Sequence, residues 1–143
     1  MDTKKQINRL FEEWNQHGKI IIAVDYDDTI SPWKNADQSD CDDVIERLKQ
    51  AQVTGAHIVI WTACNKDRYD EIKRYCAGKG LFVDSINANP VNLPYGNNGK
   101  IYANVYVDDR AGINEALLVL EKAMYMIRGS KEAEKIKSMG DVA

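Results

Sequence analysis

Two carboxylates at Asp25 and Asp27 directly follow an apolar run at residues 19–24, and Asp28 and Thr29 come next. Side chains two residues apart in an extended chain point to the same side, so Asp25 and Asp27 can converge on one ligand. One such carboxylate can hold a hard cation while the other, held off the metal, carries a proton. The pair is therefore the first candidate for a reactive site.

The apolar runs that precede these polar residues predict the strands that position them. A continuous Ile and Val run is typical of a strand buried on both faces of a parallel sheet. Ligands of such sheets bind beyond the carboxyl ends of the strands. Two further runs, 57–61 and 101–107, lead into Thr62 and into Asp108 and Asp109, and Lys100 lies just ahead of the second. All three runs thus end in residue types suited to phosphate chemistry.

These residues together resemble the four signatures of the haloacid dehalogenase (HAD) superfamily, whose members are mostly magnesium-dependent phosphatases. The matching residues, in the order of the family, are the DxDxT stretch from Asp25 to Thr29, the hydroxyl of Thr62, the lone basic Lys100 and the acidic pair Asp108 and Asp109. The resemblance covers roughly residues 19–120. Asp28 stands where the family often has glycine.

The resemblance implies a phosphomonoester hydrolase with a covalent intermediate. Asp25 would attack phosphorus to give an aspartyl-phosphate, which splits the reaction into two easier displacements. Asp27 would protonate the leaving oxygen and then activate water. Thr29 would orient Asp27 through the turn.

The resemblance also implies Mg²⁺ as cofactor, because hard oxygen ligands select this cation and a phosphate monoester repels an uncompensated carboxylate. Its implied ligands are Asp25, Asp108 and the backbone carbonyl of Asp27, with Asp109 supporting or joining the shell. Thr62 and Lys100 would hold the phosphoryl oxygens.

Several functions remain open on this basis. The substrate would be a phosphorylated small molecule, a nucleotide or a nucleic-acid end. A phosphotransferase or mutase would pass the phosphoryl group to an acceptor other than water, and a noncatalytic relative would only bind phosphate. A receiver domain uses similar residues, but it places the acidic pair before the phosphoacceptor, whereas here DxDxT comes first.

Strand-like runs alternate with segments that have helical spacing. The helices are predicted around Ile7, Leu10, Phe11 and Trp14, closed by His17 and Gly18, and over 40–52, 66–77 and 113–127. A short third strand is predicted at 81–83 and a long loop at 87–99, and Gly129 is expected to separate the last helix from a charged tail at 129–143.

This alternation predicts an α/β fold, namely a three-layer α/β/α sandwich around a mainly parallel Rossmann-like sheet. Residues 1–143 would form a single HAD-like domain. The intervals between the motifs are short, so no large cap domain is expected. The helix within residues 1–18 is an addition, and it could cover a sheet edge, pack on the core or form a homo-oligomer contact.

Length and composition agree with a small soluble enzyme: the formal net charge is −3, and no basic block indicates a nucleic-acid surface. Three cysteines, Cys41, Cys64 and Cys76, lack disulfide or zinc spacing, and neither a signal segment nor a membrane span is expected. A cytoplasmic protein with reduced thiols is expected. Trp61 is expected in the core.

Overall fold

The computed structural model describes residues 2–90 and 101–140. It is an α/β fold with a four-stranded parallel sheet in the order β3-β2-β1-β4. The strands are β1 (Ile20–Asp25), β2 (Ala56–Trp61), β3 (Ser85–Ile86) and β4 (Val105–Val107). The helices are α1 (Thr3–His17), α2 (Gln38–Val53), α3 (Tyr69–Gly78), which follows a 3₁₀ turn at Lys66–Arg68, and α4 (Ile113–Gly140).

The two neighbours of β1 explain its uninterrupted apolar sequence. Ile22 pairs with Ile58 of β2 on one side and with Val105 of β4 on the other. Residues of an inner parallel strand are covered on both faces of the sheet, so each position favours an apolar side chain until the strand ends. Asp25 is the first residue of β1 that is not fully buried.

Helices and irregular chain cover opposite faces of the sheet. Ile22, Val24 and Ile60 belong to one large cluster with buried residues of all four helices. Ile21, Ala23 and Val59 form a second cluster with Ile101, against which residues 102–103 pack. The predicted α/β class and parallel Rossmann-like sheet are confirmed, and packing on both faces agrees with a three-layer sandwich. Within the described residues, the layer over the second face is irregular chain.

The added helix α1 packs on the core. Leu10 and Trp14 are buried, and α1 lies against α4. Gly18 ends the helix as predicted, since it adopts φ 72° and its N–H bonds to the Trp14 carbonyl, a common glycine termination. Of the three roles expected for this helix, packing on the core is the one observed.

Two strands begin later than the sequence suggested. Residues 81–83 are not a strand, because Leu81 N–H still bonds to the last turn of α3 at Cys76 and the Gln52 side chain bonds both backbone groups of Phe82. Pairing starts only when Asp84 N–H reaches the Ile58 carbonyl, so β3 is Ser85–Ile86. Residues 101–104 likewise precede β4.

Gly129 does not end the last helix, contrary to expectation. α4 is 28 residues long and continues through Gly129 to Gly140. Gly129 is absent from the residues with positive φ, so the left-handed conformation of a helix end is not adopted there. In the described part of the chain, no helix combines the length and apolar character needed to cross a membrane.

Candidate active site

Three carboxylates converge at the carboxyl end of the sheet. Asp25 ends β1, and Asp108 and Asp109 follow β4. Val24 pairs with Val107, so Asp25 and Asp108 come one residue later on adjacent parallel strands. One carboxylate oxygen from each of the three acids lies within 4.8 Å of the others. The sheet register therefore brings together residues that are more than 80 positions apart.

Thr29 links this acidic cluster by hydrogen bonds. Its Oγ1 lies 3.2 Å from Asp25 Oδ2 and 3.4 Å from Asp109 Oδ1, and it accepts the Asp109 N–H at 3.2 Å. The chain turns back sharply because the Tyr26 carbonyl accepts N–H bonds from residues 29, 30 and 31. The turn thus directs the Thr29 hydroxyl to Asp25 and Asp109, and the role of Thr29 in orienting Asp27 through the turn stays a prediction.

Burial and neighbouring acids together change the protonation of Asp25. Burial, a hydrogen bond with the Asp109 carboxyl and the charge of Asp108 together raise the pKa of Asp25 to about 7, while the Thr29 hydroxyl acts in the opposite direction. A carboxyl among other carboxyls holds a proton because several like charges cannot share one small volume. A cation at the same place would replace that proton.

The donor set fits a divalent cation that prefers oxygen. Three carboxylates, close enough to reach one ion, are typical ligands of Mg²⁺, which favours hard oxygen donors. Asp109 belongs to this set beside the expected Asp25 and Asp108. The Asp27 side chain lies outside the set, and a contribution of its backbone carbonyl to a metal site stays a prediction.

Asp27 carries its own cationic partner. Arg68 Nη2 lies 3.8 Å from Asp27 Oδ1, and Arg68 Nε lies 3.9 Å from Glu71 Oε2. Arg68 ends the 3₁₀ turn that follows β2. Sequence reasoning missed this residue, since an arginine within a charged segment gives no signal of its own.

Asp28 fixes the loop beyond the acidic motif. Its Oδ1 accepts four backbone N–H groups, from residues 33, 34, 35 and 36, at 2.9 to 3.1 Å. Burial works to raise the pKa of Asp28, but these four bonds prevail and lower it to about 2. Its φ of 61° lies in the left-handed region, which explains why glycine is also suited to this position.

Thr62 lies one residue past β2, and Asn87 fixes it there. Thr62 N–H donates to Asn87 Oδ1 at 2.8 Å, and Asn87 Nδ2 donates to the Thr62 carbonyl at 2.6 Å and to the Tyr69 hydroxyl at 2.9 Å. Thr62 Oγ1 accepts the Cys64 N–H at 3.3 Å. Asn87 was only assigned to a loop from the sequence; its positive φ of 52° could not be read there.

Two tryptophans near the site are exposed, and one prediction falls outside the described residues. Trp61, the last residue of β2, is 48% exposed, so its assignment to the core was wrong. Trp33 is 61% exposed. Lys100 and most of the predicted 87–99 loop lie outside the described residues.

A cleft of about 560 Å³ opens between α2 and α4 and is lined in part by Thr29 and Asp109. Its other charged lining residues are Asp28, Asp40, Asp43, Arg47 and Glu121. Because acids predominate, the cleft disfavours a phosphate group. Asp25, Asp27 and Thr62 do not line it, so a phosphorylated substrate would reach them from the carboxyl end of the sheet.

The chain is similar to the solved structure of a conserved protein coded by a locus from Bacteroides thetaiotaomicron. The two are 25% identical, the match covers 66% of this chain and 78% of the other, and the TM-score is 0.55. No protein-family profile and no curated protein matches the chain. The structural similarity supports the α/β fold described above.

Proposed function

We propose that the protein is a Mg²⁺-dependent phosphomonoester hydrolase of the HAD type that acts through an aspartyl-phosphate on Asp25. The observation that carries this proposal is the convergence of the Asp25, Asp108 and Asp109 carboxylates, with Asp27 two residues beyond the nucleophile. A purely structural role does not explain the cluster, since three like charges repel unless a cation or proton compensates them.

Asp25, Asp108 and Asp109 would hold Mg²⁺ together with the backbone carbonyl of Asp27. When bound, the ion supplies the positive charge that lets an anionic ester approach an anionic nucleophile. Thr62 and, from the sequence, Lys100 would donate to the phosphoryl oxygens, where negative charge spreads during transfer.

The two acids of the DxD pair divide the chemistry between them. Asp25 attacks phosphorus, the bond from phosphorus to the leaving oxygen breaks, and Asp27 donates its proton to that oxygen. Asp27 then takes a proton from water, whose oxygen attacks phosphorus and releases phosphate from Asp25. The two acids lie in separate surroundings: Asp25 belongs to the acidic cluster, where Mg²⁺ would keep its carboxylate ionised, whereas the Asp27 side chain lies outside that cluster and is positioned beside Arg68.

The test is release of phosphate from an aryl phosphate, with Mg²⁺ or with excess chelator. The native protein should need the metal, and Asp25→Asn should lose at least about a thousandfold in kcat, as removal of a nucleophile does. Asp70→Asn is the matched control, because Asp70 is exposed on α3. Near-normal turnover by Asp25→Asn would exclude Asp25 as nucleophile.

The same assay separates the alternative functions. A phosphotransferase or mutase would release phosphate only slowly without an added acceptor alcohol, and mass spectrometry of acid-quenched protein would then find a phosphoryl group on Asp25. A noncatalytic relative would bind phosphate and neither turn over nor become modified. The substrate class would be phosphorylated small molecules, nucleotides or nucleic-acid ends.

A further inference from the structure

Trp61 lies directly beside the proposed nucleophile. It pairs in register with Asp25 across β1 and β2. Ala23 and Val59, two residues earlier on each strand, belong to the same cluster on one face of the sheet. Side chains alternate along a strand and adjacent strands are about 4.8 Å apart, so Asp25 and Trp61 share that face as close neighbours.

The two sides of Asp25 differ in chemistry. On the β4 side are the carboxylates of Asp108 and Asp109, and on the β2 side is the indole of Trp61. The acids suit a cation, whereas an apolar aromatic ring offers nothing to a charged phosphoryl group. The indole is suited instead to the uncharged part of a substrate that extends from the phosphorus.

Its exposure and the fixed backbone around it make Trp61 suitable as a binding surface. Its side chain is 48% exposed, whereas that of Trp14 in the core is 1% exposed. The next residue is fixed by Asn87, whose side chain bonds both the N–H and the carbonyl of Thr62, while Asn87 N–H bonds to the Ile60 carbonyl. The backbone on both sides of Trp61 is thus held in place, and a tryptophan side chain, with only two rotatable bonds, loses little conformational entropy when a ligand packs on it.

We propose that Trp61 is a specificity-determining residue that stacks on a planar ring in the alcohol part of the phosphomonoester, such as a nucleobase or an aryl ring. Stacking on an aromatic side chain tolerates different rings because each has a π-face. The inference rests on the proposed function, because Asp25 defines where the phosphoryl group lies and hence where the alcohol part begins.

The kinetic test compares substrates that differ only in the ring. Adenosine 5′-monophosphate and ribose 5-phosphate share the same primary ester, and benzyl and cyclohexylmethyl phosphate differ in planarity alone. Trp61→Ala should lower kcat/KM for each planar substrate by about tenfold, mainly through KM, and by less than about twofold for its nonplanar partner. An effect in only one pair would identify a nucleobase or a simple aryl group as the preferred ring.

Three variants distinguish stacking from general apolar contact. Trp61→Phe should retain most of the preference for planar over nonplanar substrates in kcat/KM. Trp61→Leu, which is apolar but has no π-face, should lose this preference. Phe82→Ala is the distant control, because Phe82 is exposed and lies ahead of β3, at the opposite end of the sheet. Equal losses for planar and nonplanar substrates, or a loss of preference in Trp33→Ala but not in Trp61→Ala, would overturn the proposal.

A binding measurement separates failure of this inference from failure of the proposed function. In a Trp33→Phe protein, the remaining tryptophans are the buried Trp14 and the exposed Trp61. Adenosine 5′-monophosphate should change the Trp61 emission, and ribose 5-phosphate should not. A change without any phosphate release would refute the hydrolase and retain the stacking site; phosphate release without this change would refute the stacking site alone.

Discussion

Two residues of the DxDxT stretch, Thr29 and Asp28, make hydrogen bonds that their sequence positions do not indicate. Thr29 belongs to the DxDxT stretch, and its hydroxyl bridges Asp25 and Asp109, a contact that the sequence did not indicate. Asp28 appeared as a departure from glycine, yet it accepts four N–H groups of the following loop. The sequence identified these residues as part of the site. It could not predict their hydrogen-bond partners, because these depend on the conformation of the turn after Tyr26.

Asp28 provides a test of how that loop is stabilised. Its pKa of about 2 is below the ordinary 3.8, so its ionised form stabilises the fold fully above about pH 4, and this contribution is lost as the pH falls toward 2. Asp28→Asn should therefore unfold at a lower urea concentration than the native protein at pH 7. The difference between the two urea midpoints should be smaller near pH 3. A constant difference at both pH values would contradict the role of its charge.

Arg68 provides a test of how Asp27 is positioned. Both side chains of this ion pair are about one third exposed, so its contribution to stability should be at most about 1 kcal/mol. We expect Arg68→Ala to lower kcat by about tenfold, since Asp27 loses its orienting partner, with little change in the unfolding midpoint. Arg68→Lys should restore part of the activity, and Arg74→Ala on exposed α3 should change neither. Full activity of Arg68→Ala would refute the positioning role.

At the scale of elements, hydrophobic spacing predicted the helices and the two longest apolar strands, because both signals arise from burial along one element. The starts of β3 and β4 were wrong because they depend on partners elsewhere. Asp84 illustrates this: its side chain bonds the Ile58 N–H and its own N–H bonds the Ile58 carbonyl, which fixes where pairing begins. No local pattern encodes such a contact.

Replacing either of two glycines, Gly55 or Gly129, by alanine should change stability in opposite directions. Gly55 precedes β2 at φ 117°, and a Cβ there would lie 2.8 Å from the Gly18 carbonyl oxygen. Gly55→Ala should thus destabilise the protein by about 1–3 kcal/mol. Gly129 lies inside α4, and a Cβ at this position would have no neighbouring atom within 4 Å, so Gly129→Ala should stabilise by about 0.5–1 kcal/mol.

Urea unfolding of both variants measures these effects directly. Each replaces glycine by the same side chain, so the comparison isolates conformation and close contact from the change in composition. Destabilisation by Gly129→Ala would indicate that α4 requires flexibility at that position, and a neutral Gly55→Ala would show that the chain ahead of β2 can move away from Gly18.

At the scale of the whole molecule, folding itself assembles the acidic cluster. Asp25 and Asp109 are far apart in the chain, and the parallel pairing of β1 with β4 brings them together. The parallel direction of the strands is predictable from their alternation with helices, whereas the adjacency of β1 and β4 is seen only in the structure. The mutual repulsion of the acids must then be relieved by a proton or by a cation, which couples stability to pH and to metal.

This coupling predicts how Mg²⁺ changes thermal unfolding. The pKa of Asp25 is raised from the ordinary 3.8 to about 7. In the metal-free protein, the stability that protonation of Asp25 contributes is therefore complete below about pH 4 and is lost as the pH rises through 7. Mg²⁺ should raise the unfolding temperature more at pH 8 than at pH 5.5, where it must displace the proton. At a hundredfold excess over Kd the gain is about 2.7 kcal/mol.

Asp25→Asn serves as the control for the same titration, because the amide keeps the shape of the side chain and removes both its charge and its proton. In this variant the pH dependence of the Mg²⁺ effect should largely disappear, and the metal-free protein should lose less stability between pH 5.5 and pH 8 than the native protein does. Calorimetric scans at both pH values, with Mg²⁺ and with chelator, measure each quantity. An equal Mg²⁺ shift in native protein and variant would mean that the cation binds away from Asp25, and that the cluster does not form the metal site.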